Sequence, residues 1–148
     1  MISPNGSTVV YTLPAQEEGG PKRLYKHPLN TSEPVAVPGY QGGSARATFS
    51  PDGSRIAHVD QVESQFAAHR LMEVRVNGNT PPEVVLADWP SEWIPTTLVW
   101  LPDGDIVTTT SGGGNQSIIR IPTDGSEPRP PVEIDHGGLL DMQVLDAL

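Results

Sequence analysis

Three observations predict an all-β chain made of three repeated four-stranded antiparallel units. Two turn motifs recur in phase along the chain. Glycine (15) and proline (16) together make up about a fifth of the 148 residues. Each repeat also contains four short stretches of β-forming residues. A helical bundle uses few Gly and Pro, whereas short strands joined by many tight turns need both.

The first motif is Pro-(Asn/Asp)-Gly, at Pro4-Asn5-Gly6, Pro51-Asp52-Gly53 and Pro102-Asp103-Gly104, with spacings of 47 and 51 residues. The second runs Asn30 to Pro34, Asn77 to Pro81 and Asp124 to Pro128, spaced 47 and 47. Within a repeat the two motifs stand 26, 26 and 22 residues apart. Pro presets φ, the Asn or Asp side chain bonds nearby backbone, and Gly accepts positive φ, so each triplet specifies a tight turn.

The elements follow in order around these turns. A first strand precedes the turn, at Ala45 to Ser50 and Thr96 to Leu101. The second follows it, at Val9 to Leu13, Arg55 to Val59 and Asp105 to Thr110. The third leads into the second motif, at Arg23 to Pro28, Leu71 to Val76 and Ser117 to Ile121. Leu71 to Val76 alternates apolar with polar and reads as a half-buried strand. The fourth leaves that motif, at Pro34 to Val37, Glu83 to Leu86 and Pro131 to Ile134. Ser64 to Met72 comes nearest to a helical period and reads better as a loop entering a strand.

Four antiparallel strands in about 47 residues is the size of a β-propeller blade. A small twisted sheet cannot bury both faces alone, so blades stack and share cores. The expected fold is therefore a partial β-propeller over residues 1–148, with repeats at about 2–49, 50–100 and 101–148. One more period beyond Pro102 puts the next turn proline at 149. Gln143 to Leu148 is then a first strand without its hairpin. Three blades do not readily close a ring. Two readings follow: a fragment of a longer propeller, or a homodimer in which Gln143 to Leu148 pairs with Val9 to Leu13 of a second copy. Either could complete a six-bladed ring, and the dimer would cover an otherwise open sheet edge.

Composition excludes several function classes. The formal charge is −9 and the longest basic cluster is Lys22-Arg23, which argues against nucleic acid. There is no cysteine, hence no disulfide, thiolate metal site or cysteine nucleophile. No apolar run approaches the roughly 18 residues that span a bilayer, so no membrane contact is expected of this segment. The N-terminus lacks a signal-peptide core.

No catalytic or cofactor constellation is expected. His27, His58, His69 and His136 show no metal-ligand spacing, so no metal site is predicted. His58 reads as a satisfied sheet histidine. His136 follows Asp135, but Gly42-Gly43-Ser44-Ala45-Arg46 is not a nucleophile elbow. Asp103, Asp105 and Asp124 are explained by turn chemistry without calcium. Ser111-Gly112-Gly113-Gly114-Asn115 lacks the Gly-Lys-Ser/Thr of a phosphate loop and reads as a long flexible hairpin loop. Asn-x-Ser/Thr sequons begin at Asn5, Asn30 and Asn115. Surface recognition remains. Tyr40, Arg46, Trp89, Glu92 and Trp93 fall in connections between blades and are the candidate partner-binding residues. The competing reading makes each tryptophan a wedge between blades.

Ala47-Thr48-Phe49-Ser50-Pro51-Asp52-Gly53-Ser54-Arg55-Ile56-Ala57-His58-Val59 resembles the blade signature of TolB-like propellers. Trp100 to Val107 resembles a second copy, and Leu71 to Val76 with its Asn-Gly and Ile119 to Pro128 resemble the strand and turn that follow in that family; the first copy, Ile2 to Leu13, departs by carrying Asn5 for Asp. The Trp100 to Val107 copy with its Gly-rich loop is similar to propellers attached to bacterial receptor-like Ser/Thr kinases. The resemblance implies a non-enzymatic binding or scaffold module without cofactors. It also implies a protein or small-ligand partner, and a location outside the cytoplasm. The same blades occur ahead of serine peptidase domains of the prolyl-oligopeptidase type, where they gate access, and that is the alternative.

Overall fold

A computed structural model of the chain describes residues 1–14, 22–38, 40, 46–61, 69–77, 80–87, 89, 94–112, 115–130 and 132–134. These form three antiparallel sheets, and no helix occurs among the described residues. The first sheet comprises β1 (Thr8–Leu13), β2 (Arg23–Pro28) and β3 (Val35–Ala36), with an isolated bridge from Ile2 to Val9 standing for its first strand. The second is a full four-stranded blade, β4 (Ala47–Phe49), β5 (Arg55–Gln61), β6 (His69–Arg75) and β7 (Glu83–Leu86), paired in chain order. The third holds β8 (Ile94–Pro95), β9 (Val99–Trp100), β10 (Ile106–Gly112), β11 (Asn115–Ile121) and β12 (Val132–Ile134). Its first strand is split, since both β8 and β9 pair with β10.

The turns form as their chemistry requires. The amides of Gly6, Gly53 and Gly104 donate to the carbonyls of Ser3, Ser50 and Leu101 at 2.9, 2.8 and 3.1 Å. All three glycines have positive φ, between 71° and 101°, where a Cβ is strained. Asn5, Asp52 and Asp103 each accept the amide two residues on, at 3.0, 2.9 and 3.2 Å. In the second blade the Ser50 hydroxyl donates to Asp52 at 2.6 Å and accepts the Arg55 amide at 2.9 Å. Blade three has Leu101 in that place and a loop one residue shorter, closed by the Leu101 amide on the Asp105 carbonyl. Trp100 Nε1 and Thr123 Oγ1 both donate to the Gly104 carbonyl there, at 3.0 and 2.7 Å.

The Asp52 carboxyl is held down to about 2 from its ordinary 3.8, first by the Ser50 hydroxyl, then by the Ser54 amide and hydroxyl. A depressed folded pKa means that this stabilisation is present above 3.8 and fades as pH falls toward about 2. Asp52→Asn is therefore expected to lower the melting temperature at neutral pH, with the gap to wild type closing across that interval. A gap that stayed constant down to pH 2 would show that the charge of Asp52 is irrelevant.

Two cores lie between the sheets. Val10, Leu24, Val37, Tyr40, Phe49, Ile56, Val74 and Val76 join the first blade to the second. Ala57, Val59, Leu71, Trp89, Trp100, Ile106, Ile119 and Ile121 join the second to the third. The second blade is thus covered on both faces. Successive β5 residues Ile56 and Ala57 enter opposite cores, as the two-residue pleat dictates. The half-buried reading of Leu71 to Val76 holds from Met72 onward, with Met72, Val74 and Val76 buried, Glu73 half-buried and Arg75 exposed, while Leu71 on the other face is buried toward blade three. The Gly-rich loop is corrected. Pairing of β10 with β11 continues to Gly112 opposite Asn115, so the connection is two residues long. Gln143 to Leu148 lies outside the described residues.

Candidate functional site

The chain segment linking blade one to blade two carries Tyr40 across the first core. The Tyr40 ring is 9 % exposed and meets the His58 ring edge-on, with centroids 5.3 Å apart. His58 and Asp60 occupy alternate positions of β5, two and four residues beyond Ile56, and therefore point to the same face. They are 0 % and 1 % exposed. His58 Nδ1 stands 3.3 Å from Asp60 Oδ1, an ion-pair distance without hydrogen-bond geometry. In the β5–β6 register Met72 lies opposite His58 and Arg70 opposite Asp60. Burial, and then the Asp60 charge, raise the Tyr40 phenol to about 12, so it remains a neutral O–H at any physiological pH.

His58 was expected to be a satisfied sheet histidine, and the structure corrects this. Neither ring nitrogen has a hydrogen-bond partner among the described residues, nor do the two Asp60 oxygens or Tyr40 Oη. The same column in blade three holds Thr108, whose hydroxyl donates to the Thr97 carbonyl at 2.7 Å. Sequence reasoning passed over Asp60 altogether. The available signal was an acidic residue two positions beyond His58, on the face of the strand that begins with Ile56.

The other candidates are placed as follows. Trp89 is buried in the second core, 5 % exposed, so it and Tyr40 sit as wedges between blades rather than as exposed anchors. Arg46 is half-buried beside β4, where its carbonyl accepts the Val59 amide at 3.0 Å, and burial lowers its guanidinium pKa. Glu92 and Trp93 lie outside the described residues, as do Asp135 and His136. Among the described residues no three His, Asp or Glu side chains gather in a way that could hold a metal.

A second feature lies on the outer face of blade three. Val107, Ile118, Pro130 and Val132 line an apolar groove, with Arg120 and Arg129 at its rim. Arg120 is held by Asp103 and Asp105, and Arg129 approaches Asp105 at 3.6 Å. Val107 is the column equivalent of Ala57, which blade three covers in the blade before it. Val132 is 64 % exposed and Val99 48 %.

This geometry defines the class: the stacked antiparallel sheets of a β-propeller. Solved structures agree on the fold. The protein of Agrobacterium tumefaciens solved under the TolB name superposes with a TM-score of 0.64 at 19% identity, covering 86% of this chain and 43% of that one. TolB from Acinetobacter baumannii gives 0.62 at 19% identity, over 89% of this chain and 33% of that one. The chain therefore has the TolB-like β-propeller fold. Among curated proteins, dipeptidyl-peptidase 5 of Arthroderma otae is 24% identical over 93% of this chain, and its counterpart in Trichophyton tonsurans 25% over 75%. The chain spans only 21% and 16% of the length of these two relatives. No family model matches the chain. Among the described residues no helix is long and apolar enough to cross a membrane.

Proposed function

We propose that this chain is a segment of a non-enzymatic propeller that binds partners, within a sensor or interaction domain outside the cytoplasm. The observation that supports this most is the outer face of blade three. Its Val107, Ile118 and Val132 repeat the apolar column that blade two buries against its neighbour, so the face is built to receive another surface. The receiving partner is a further blade, from a longer polypeptide or from a second copy. Partners of the finished ring, protein or small ligand, then meet the loops between blades that carry Arg46, Glu92 and Trp93.

Light scattering on the purified chain tests the second-copy form. A mass of twice 15.8 kDa supports it, and a stable monomer overturns it. Incubation with a chromogenic dipeptidyl amide tests the non-enzymatic reading. No release above buffer is expected, and hydrolysis that copurifies with the chain would sink it.

A second reading is favoured by the likeness to dipeptidyl-peptidase 5 along 93% of the chain. On that reading the blades are the gating propeller of a serine peptidase. The coding sequence on either side discriminates: a Gly-x-Ser-x-Gly elbow following further blades supports the peptidase, and a kinase catalytic loop with a membrane span upstream supports the sensor.

A further inference from the structure

We propose that Tyr40, His58 and Asp60 form an internal hydrogen-bonding site that takes ordered water at the junction of blades one and two. Five side-chain polar atoms are buried together there without a hydrogen-bond partner among the described residues: Tyr40 Oη, both His58 nitrogens and both Asp60 oxygens. Each buried unpartnered group forfeits its hydration, and five such losses rival the whole stability of a small domain. A folded chain therefore satisfies them, and water is the guest whose chemistry fits.

The donor and acceptor balance supports this choice. Tyr40 stays protonated, since its phenol is raised to about 12, and so offers one hydrogen and an acceptor oxygen. An ionised Asp60 accepts and cannot donate, and the His58 ring has a nitrogen on each side. A water molecule both donates and accepts, and can bridge the carboxylate to the phenol or the imidazole. A direct His58–Asp60 hydrogen bond does not form despite their 3.3 Å separation. Among the described residues, the equivalent places in the other two blades are filled differently. Thr108 has the equivalent place in blade three and is satisfied by the Thr97 carbonyl, while Tyr11 has it in blade one and stacks on Tyr25 with centroids 6.0 Å apart. The water would join the connecting segment through Tyr40 to the middle of blade two through β5. It would thereby hold the two blades in one relative position.

Crystallography of the purified chain at a resolution that shows solvent tests the site directly. The expected result is at least one ordered peak within hydrogen-bond distance of Asp60 and of either Tyr40 Oη or a His58 nitrogen. A peak with metal-like contacts of about 2.0–2.2 Å to His58 and Asp60 overturns the proposal in favour of a cation. No peak, with the five atoms paired to other protein groups, overturns it outright. A double-mutant cycle with the near-isosteric Tyr40→Phe and Asp60→Asn gives an independent readout. The bridge predicts that the two changes couple, altering the unfolding constant together by about three- to tenfold less than the product of the single effects. Strict additivity counts against a shared water.

Discussion

Replacing Leu71 by alanine is expected to lower the stability of the chain by about 2–5 kcal/mol, the range for a buried Leu→Ala change that leaves a cavity. Leu71 is fully buried on β6 and packs in the core with Ala57, Val59 and Trp89 between blades two and three. Its neighbours belong to opposed sheets whose backbones are fixed by paired ladders, so collapse around the gap is limited. Val84 on β7 is the control, being 52 % exposed. Val84→Ala should stay within about 0.5 kcal/mol of wild type. Urea unfolding of both variants decides the matter. Equal, small shifts in midpoint would mean that blades two and three do not share a core in solution.

Trp100→Ala should cost about 3–5 kcal/mol. Three contacts converge on this side chain. It fills the same core at 6 % exposure, its Nε1 donates to the Gly104 carbonyl at 3.0 Å, and the Arg55 guanidinium lies 4.7 Å over its ring. Arg55 is in turn paired with Glu73 at 3.3 Å, so the indole closes the polar rim of the core. Trp100→Phe separates these contributions. It keeps most of the apolar volume and loses the hydrogen bond, a cost of about 0.5–1.5 kcal/mol, with a smaller loss from the weaker ring interaction. The Thr123 hydroxyl still donates to the Gly104 carbonyl in that variant, which limits the damage. If phenylalanine proved as costly as alanine in equilibrium unfolding, the hydrogen bond rather than the packing would dominate.

Much of the architecture was legible because it is local. The Pro-(Asn/Asp)-Gly turns need only the residues within them, and the glycines do take positive φ. Strand positions such as Glu83–Leu86 and Arg23–Pro28 follow from β-forming runs bounded by those turns. The ends were less legible. The Ser111 to Asn115 stretch reads as a loop by composition, yet cross-strand pairing carries β10 and β11 to Gly112 and Asn115. That outcome depends on the partner strand, which composition does not describe.

The candidate site was legible only in part. By its place in a connection between blades, Tyr40 reads from sequence as a partner-binding aromatic. The structure turns it inward against His58. His58 drew attention as an odd residue in its strand, but Asp60 gave no separate motif. Their burial is set by blade one covering that face of β5, and strand periodicity alone does not say whether a second sheet lies on the polar side.

What the sequence by itself determined is the repeat, its phase and its turn chemistry. Those rest on hydrogen bonds spanning two to five residues, such as Asp52 to Ser54 and Ser50 to Arg55. The tertiary structure decided which faces are covered. It buried Leu71 on one face of its strand and Met72 and Val74 on the other, drew His58, Asp60 and Tyr40 into one buried junction, and left Val132 exposed beside an outer groove. The physical reason is that burial belongs to pairs of blades, not to strands: the same alternating column is core or surface according to whether another sheet stacks on it.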